Sequence, residues 1–182
     1  VGAAEVGQGT HLAMRQMAAE RLGLRPEQIA LVTDDSAEAP NAGSASASRL
    51  TLMAGRAVHD AAGAALKLWN DEERPAKATA QYRPPATTPL DPATTAGRPN
   101  YAYGYAAQAV EVEVNTLTGQ VQVLRVISAH DVGRAINRQQ AEGQIEGCVA
   151  QALGYALLEH FQVRDGYILT PHFSSYLLPT AL

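Results

Sequence analysis

Two short stretches of this 182-residue chain bring together residue types suited to holding a polar ligand. The first is Glu5-Val6-Gly7-Gln8-Gly9-Thr10-His11. Two glycines flank one amide side chain, and a helical pattern follows at once. Glycine permits φ > 0 and lets backbone approach a ligand closely. The Gln8 amide offers two donors and an acceptor without charge. The unpaired N–H groups at the start of the following helix favour an anion beside the turn. The bland alternative is a plain tight turn. The second stretch is Gly43-Ser44-Ala45-Ser46-Ala47-Ser48, in which no side chain exceeds serine. Such a run builds no core, but its backbone and hydroxyls can lie against a flat ligand. Its alternative is a flexible linker, which fits poorly between two buried elements.

A third set lies on a long C-terminal helix. Gln144, Gly147, Gln151 and Gly154 recur at spacings of three and four. Lys and Glu would solvate an exposed face better, and each interior glycine costs about 1 kcal/mol against alanine. Close approach by a ligand or by a second helix would compensate. His130-Asp131 reads as a hydrogen-bonded pair at a strand end. Cys148 reads as packed. The histidines show no i, i+4 metal-ligand spacing.

Composition limits the classes open to this chain. At 46% hydrophobic, it can bury one core or those of two small lobes. A net charge of −4 argues against a nucleic-acid partner. One cysteine excludes a disulfide framework. No apolar run is long enough to span a membrane. The chain opens without Met and stops on apolar residues, which suggests a piece of something longer.

These stretches must be positioned by the elements around them. Thr10 is expected to cap a helix to about Leu22, with Gly23 ending it and Met14, Met17, Ala18 and Leu22 on its core face. Ile29–Thr33 reads as a buried strand. A helix over about 50–70 presents Val58, Ala61, Ala62, Ala65, Leu66 and Trp69. Six prolines between 71 and 100 mark an extended connection, in which Ala78–Tyr82 forms a short strand. Val110, Val112 and Val114 alternate with Glu111 and Glu113, predicting a half-buried strand that turns at Asn115–Gly119 and returns over Val121–Ala129. A helix over about 139–161 carries Ile145, Val149, Ala152, Leu153, Ala156 and Leu157 as a core stripe, and Tyr167–Leu169 forms a short strand. The fold class expected is α+β, with long helices on short mixed or antiparallel sheets in two lobes. The divisions expected are 1–74, a Pro-rich connection over 75–104, and 105–182.

Four stretches, in order, carry a family resemblance: Glu5–His11, Gly43–Ser48, Ala129–Asn137 and Glu142–Gly154. The chain resembles the C-terminal part of the molybdenum-binding subunit of the xanthine dehydrogenase, aldehyde oxidase and carbon monoxide dehydrogenase family. The resemblance implies a molybdopterin cofactor, in bacteria often the cytosine dinucleotide form, and oxidative hydroxylation of an aldehyde or N-heterocycle. Electrons would pass to Fe–S and FAD groups on partner chains or domains. Gln8, Gly9, Ser44, Ser46, Ala47, Ser48, Gln144 and Gln151 would contact the cofactor. Ala47 would lie nearest molybdenum through the cofactor, without ligating it. The family's catalytic glutamate would fall downstream of the Tyr176–Ala181 region, so no catalytic residue is assigned; Glu5, Glu142 and Glu146 read as structural or solvated. Implied partners are the remainder of the molybdenum subunit, Fe–S and FAD subunits, and a possible second copy, in the cytoplasm, with the periplasm as the alternative. Two other readings are a remnant that binds partner chains without cofactor, and an unrelated α+β domain with another phosphorylated ligand.

Overall fold

The computed structural model describes residues 1–180. The fold is α+β and divides into two units, Val1–Tyr103 and Gly104–Leu182.

The first unit is a helix pair with irregular chain around it. Helix α1 spans Thr10–Leu22. It ends where Gly23 turns left-handed at φ 69°, which lets the Gly23 and Leu24 N–H groups reach the carbonyls of Glu20 and Ala19. Its cap is Gly9 rather than Thr10, whose hydroxyl instead accepts from the Gln8 amide. Helix α2 spans Arg49–Asn70 and packs on α1. A Cβ on Gly55 would sit 2.5 Å from the Met17 sulfur, and one on Gly63 would sit 2.7 Å from Arg21 Nε. The contact therefore advances in the same sense along both helices, and they run parallel with their N-termini at one end. Hydrogen placed where a methyl would collide lets the backbones close.

Among the described residues, the buried apolar ones are Ala3, Ala13, Met14, Met17, Ala19, Ala39, Leu50 and Ala54, all in this unit. The stripe expected on α2 is half-buried, and Trp69 is 53% exposed. Length explains this. Thirteen residues of α1 extend about 20 Å and 22 residues of α2 about 33 Å. With their starts aligned, α1 covers the first part of α2 and leaves the rest. Trp69 is instead covered by the Arg74 guanidinium, 3.4 Å from the ring centroid. Ala18 and Leu22 are likewise only half-buried.

Neither strand expected in this unit forms. Ile29–Thr33 and Ala78–Tyr82 belong to no strand, although the Val32 carbonyl accepts from the Val1 ammonium at 3.1 Å. A strand needs a neighbour to take its backbone hydrogen bonds, and the ladder contacts here are isolated bridges, Gly2 with Asn41 and Thr88 with Arg98.

The second unit opens with an antiparallel hairpin, β1 (Tyr105–Val114) and β2 (Val121–Asp131). Asn115 makes the turn: its side-chain oxygen accepts from Leu117 and Thr118, and its carbonyl accepts from Gly119. Val110, Val112 and Val114 pair with Val126, Val123 and Val121 on one face, while Glu111 pairs with Arg125 on the other. Leu124 is the extra residue of a bulge. The alternation is as expected, but all of β1 is exposed. Half-burial requires an element laid on the valine face, and period alone does not provide one.

Helix α3 spans Arg138–Leu157, with the Asn137 side chain accepting from Gln140 N–H. It ends four residues earlier than expected, because the Glu159 N–H folds back to the Gly154 carbonyl. Of its expected core stripe, Ile145, Val149 and Leu153 are half-buried and the others exposed. Cys148 is exposed, not packed. Two two-residue strands, β3 (Val163–Arg164) and β4 (Tyr167–Ile168), pair antiparallel. The tail then returns to α3. Pro179 packs where a Gly154 side chain would be, and the Tyr176 hydroxyl donates to Glu159 at 2.5 Å.

Candidate functional site

In the first unit, the Gly7–Gln8–Gly9 turn leads into α1 and the Ser/Ala run leads into α2. Because the helices run parallel, both loops lie at the same end of the pair. The segments feeding them are also tied together: Gly2 N–H donates to the Pro40 carbonyl at 2.7 Å, and Ala42 N–H to the Gly2 carbonyl at 3.2 Å. Packing therefore joins two stretches some 35 residues apart in sequence.

The turn is held by its own side chains. Glu5 accepts from Gly7 N–H (2.8 Å) and Gly9 N–H (2.9 Å) through one oxygen and from His11 N–H (3.0 Å) through the other. The bond from His11 is the main cause that holds the Glu5 carboxyl below the usual glutamate range. Glu5 is thus structural, and the anion at the start of α1 is the chain's own. Gln8 Oε1 accepts from Val6 N–H, and its Nε2 donates to the Ala4 carbonyl and Thr10 Oγ1. Both Gln8 donors are used within the turn, leaving acceptor capacity on its oxygen.

The second loop is open. Ser44 through Ser48 are exposed. Ala47 and Ser48 take left-handed φ of 49° and 59°, a cost of order 1 kcal/mol each that clusters at ligand-binding loops. Ser48 makes no side-chain cap for α2. Ser44 Oγ donates to Ser46 Oγ, leaving the Ser46 proton for another acceptor. Arg49, not singled out by sequence reasoning, braces the loop from beneath, donating to the carbonyls of Ala42 (2.8 Å) and Ser44 (3.3 Å). A lone arginine at a helix start carries no pattern by which to find it.

In the second unit, Gln144 and Gln151 are exposed on α3. Among the described residues nothing lies within 4 Å of a Cβ on Gly143 or Gly147, whereas one on Gly154 would meet Pro179. His130 and Asp131 do not pair. Neighbouring strand residues point to opposite faces; His130 Nε2 shares a hydrogen bond with Ser128 Oγ at 2.7 Å, and Asp131 accepts from Gly133 N–H. An open, largely apolar pocket of about 580 Å³, lined by Phe161, Ile168, Thr170, Pro171, His172, Phe173 and Tyr176, contains none of these residues.

Tyr176, on its edge, is pushed above the usual tyrosine range, chiefly by its hydrogen bond to Glu159. A raised folded value means the pair stabilises fully below the ordinary tyrosine pKa and is lost as pH rises through the folded one. In an alkaline absorbance titration, one of the seven tyrosines should ionise late, and Glu159→Gln should bring it down. An unchanged titration curve would refute the pairing.

Among the described residues, no cluster of His, Cys, Asp or Glu could hold a metal, and no helix is long and apolar enough to cross a membrane. The donor set is instead neutral amides, hydroxyls and exposed backbone, which fits a cofactor that brings its own metal ligands.

Comparison with known proteins points to one family. The model of a molybdopterin cofactor-binding domain matches residues 1–69 and 63–182. The chain is 32% identical over 210 residues to one subunit of a probable xanthine dehydrogenase of Bacillus subtilis (strain 168), covering 98% of this chain and 28% of that protein. It is 32% identical over 165 residues to the aldehyde oxidoreductase of Megalodesulfovibrio gigas, covering 84% of this chain and 18% of that one. The solved aldehyde oxidoreductase from Desulfovibrio gigas superposes with a TM-score of 0.76 at 31% identity, over 85% of this chain and 19% of that chain. A Cu,Mo-CO dehydrogenase shares the fold, with a TM-score of 0.81 at 21% identity, over 99% of this chain and 27% of that chain. The chain thus spans less than a third of each of these relatives.

Proposed function

The chain belongs to the molybdopterin cofactor-binding family of xanthine dehydrogenases and aldehyde oxidoreductases, and from that premise we propose that it forms part of the cofactor cleft of a molybdenum hydroxylase. The observation that carries the reading is the parallel pairing of α1 and α2, which sets the Gln8 turn and the Ser/Ala loop at one end of the first unit. In that unit we assign Gln8, Gly9, Ser44, Ser46, Ala47 and Ser48 to the cofactor. Gln8 accepts through its remaining lone pair, Ser46 and Ser48 donate, and Ala47 keeps a flat surface free of side chain nearest the metal. In the second unit we assign Gln144 and Gln151, beside the open Gly147.

When bound, the cofactor supplies the two-electron chemistry that hydroxylates a carbon of an aldehyde or N-heterocycle with a water-derived oxygen. This chain's residues bind and orient it, and none is assigned a catalytic step. The cytosine dinucleotide form, the remainder of the molybdenum subunit, Fe–S and FAD chains, a second copy and a cytoplasmic setting complete the proposal. Two relatives are named as subunits, one of a 6-hydroxypseudooxynicotine dehydrogenase complex.

The test is co-expression with a chain supplying the rest of such a subunit, followed by molybdenum analysis and pterin fluorescence. The complex should carry molybdenum. Gln151→Ala should lower retention about tenfold, the equivalent of one hydrogen bond of about 1.4 kcal/mol, without changing the melting temperature. A metal-free complex would favour the second reading, a partner-binding remnant, for which the commitment of both Gln8 donors speaks.

A further inference from the structure

Resting on the assignment of the Gln8 turn to the cofactor, we propose that Glu5 is a positioning residue whose carboxylate fills the anion position at the start of α1, fixes the Gly7–Gln8–Gly9 turn, and turns a ligand's anionic groups away from that helix end. A helix start presents unpaired N–H groups that attract phosphate. Here no side chain caps α1 from the cap position. The function passes to Glu5, four residues earlier, whose two oxygens take N–H groups from Gly7, Gly9 and His11 at 2.8, 2.9 and 3.0 Å.

The glycines make this possible. Gly7 and Gly9 take φ of 96° and 84°, which turns their N–H groups inward onto one carboxylate, forming a small anion-binding concavity. Gly7 borders open space, so its conformation rather than crowding requires glycine. With the carboxylate in place, Gln8 is presented with its amide anchored at Ala4 and Thr10. A ligand phosphate approaching these N–H groups would meet a like charge at contact distance, which is repulsive. The turn is therefore suited to a neutral part of a ligand, and the arrangement opposes the simple reading of a Gly-x-Gly turn as a phosphate cradle.

The test uses the ¹⁵N-labelled full chain and inorganic phosphate as probe. In the wild type, the Gly7, Gly9 and His11 amides should be protected from exchange and should not shift with millimolar phosphate. In Glu5→Ala they should exchange at least tenfold faster, and phosphate should shift them and restore protection. Glu5→Gln, nearly isosteric, should keep the fold, weaken protection at the same three amides and remove the repulsion, so that phosphate shifts them too; it decides the matter if the alanine variant does not fold. Equal phosphate responses in wild type and Glu5→Gln, or wild-type amides that exchange as fast as exposed turns, would overturn the proposal. None of these readouts involves molybdopterin, so a metal-free complex, which would defeat the cofactor assignment, leaves this result standing.

Discussion

Met14→Ala should lower the stability of the first unit by about 2–5 kcal/mol, the range for truncating a buried methionine. Met14 is 1% exposed and is the largest fully buried side chain. The surrounding core is small, and five of its other seven members are alanines, which have little side chain with which to fill the space. Domains are stable by only about 5–15 kcal/mol, so this one change removes much of the margin. Urea denaturation followed by circular dichroism measures it. Leu52→Ala, on the same helix pair but 42% exposed, is the control and should cost under about 1 kcal/mol. Equal shifts from the two variants would mean that the core does not lie where the parallel helices meet.

The second large effect contrasts two glycines of α3. A side chain at Gly154 would meet Pro179 Cδ at 2.7 Å and Glu159 Oε1 at 2.5 Å. Gly154→Val should therefore expel the 171–180 tail, break the Tyr176–Glu159 bond and speed chymotryptic cleavage at Phe173 and Tyr176 several-fold, at a cost of about 1–3 kcal/mol. Gly147→Ala meets nothing within 4 Å. It should stabilise α3 by about 1 kcal/mol, the propensity difference alone, with cleavage unchanged. If the cofactor lies against Gln144 and Gln151, as proposed, a methyl on Gly147 between them should also lower molybdenum retention in the complex. A stability gain with a ligand loss is a combination that helix packing would not produce. If both variants behave alike, α3 does not treat its two glycines differently, and the stripe carries no ligand information.

The amino-acid sequence by itself settled what depends on nearest neighbours. Gly23 ends α1 because a left-handed residue is needed there, Asn137 caps α3 with its own side chain, and Asn115 to Gly119 closes the hairpin. The four ordered motifs likewise named the family. Tertiary structure decided everything that depends on a partner distant in the chain. Ile29–Thr33 has strand composition but no strand beside it. The valine face of the hairpin has the right period, yet its β1 valines stay exposed. Trp69 keeps helical spacing yet lies beyond the reach of the shorter α1. The site follows the same division. Gln8 and the serines were legible as residue types, because small and amide side chains are unusual in such runs. That Glu5 would already fill the anion position was not, since three N–H groups converge on one carboxylate only once Gly7 and Gly9 have turned. Nor was the meeting of the turn with the Ser/Ala loop, which is fixed by two parallel helices in contact through Gly55 and Gly63, a geometry that pattern and propensity do not encode.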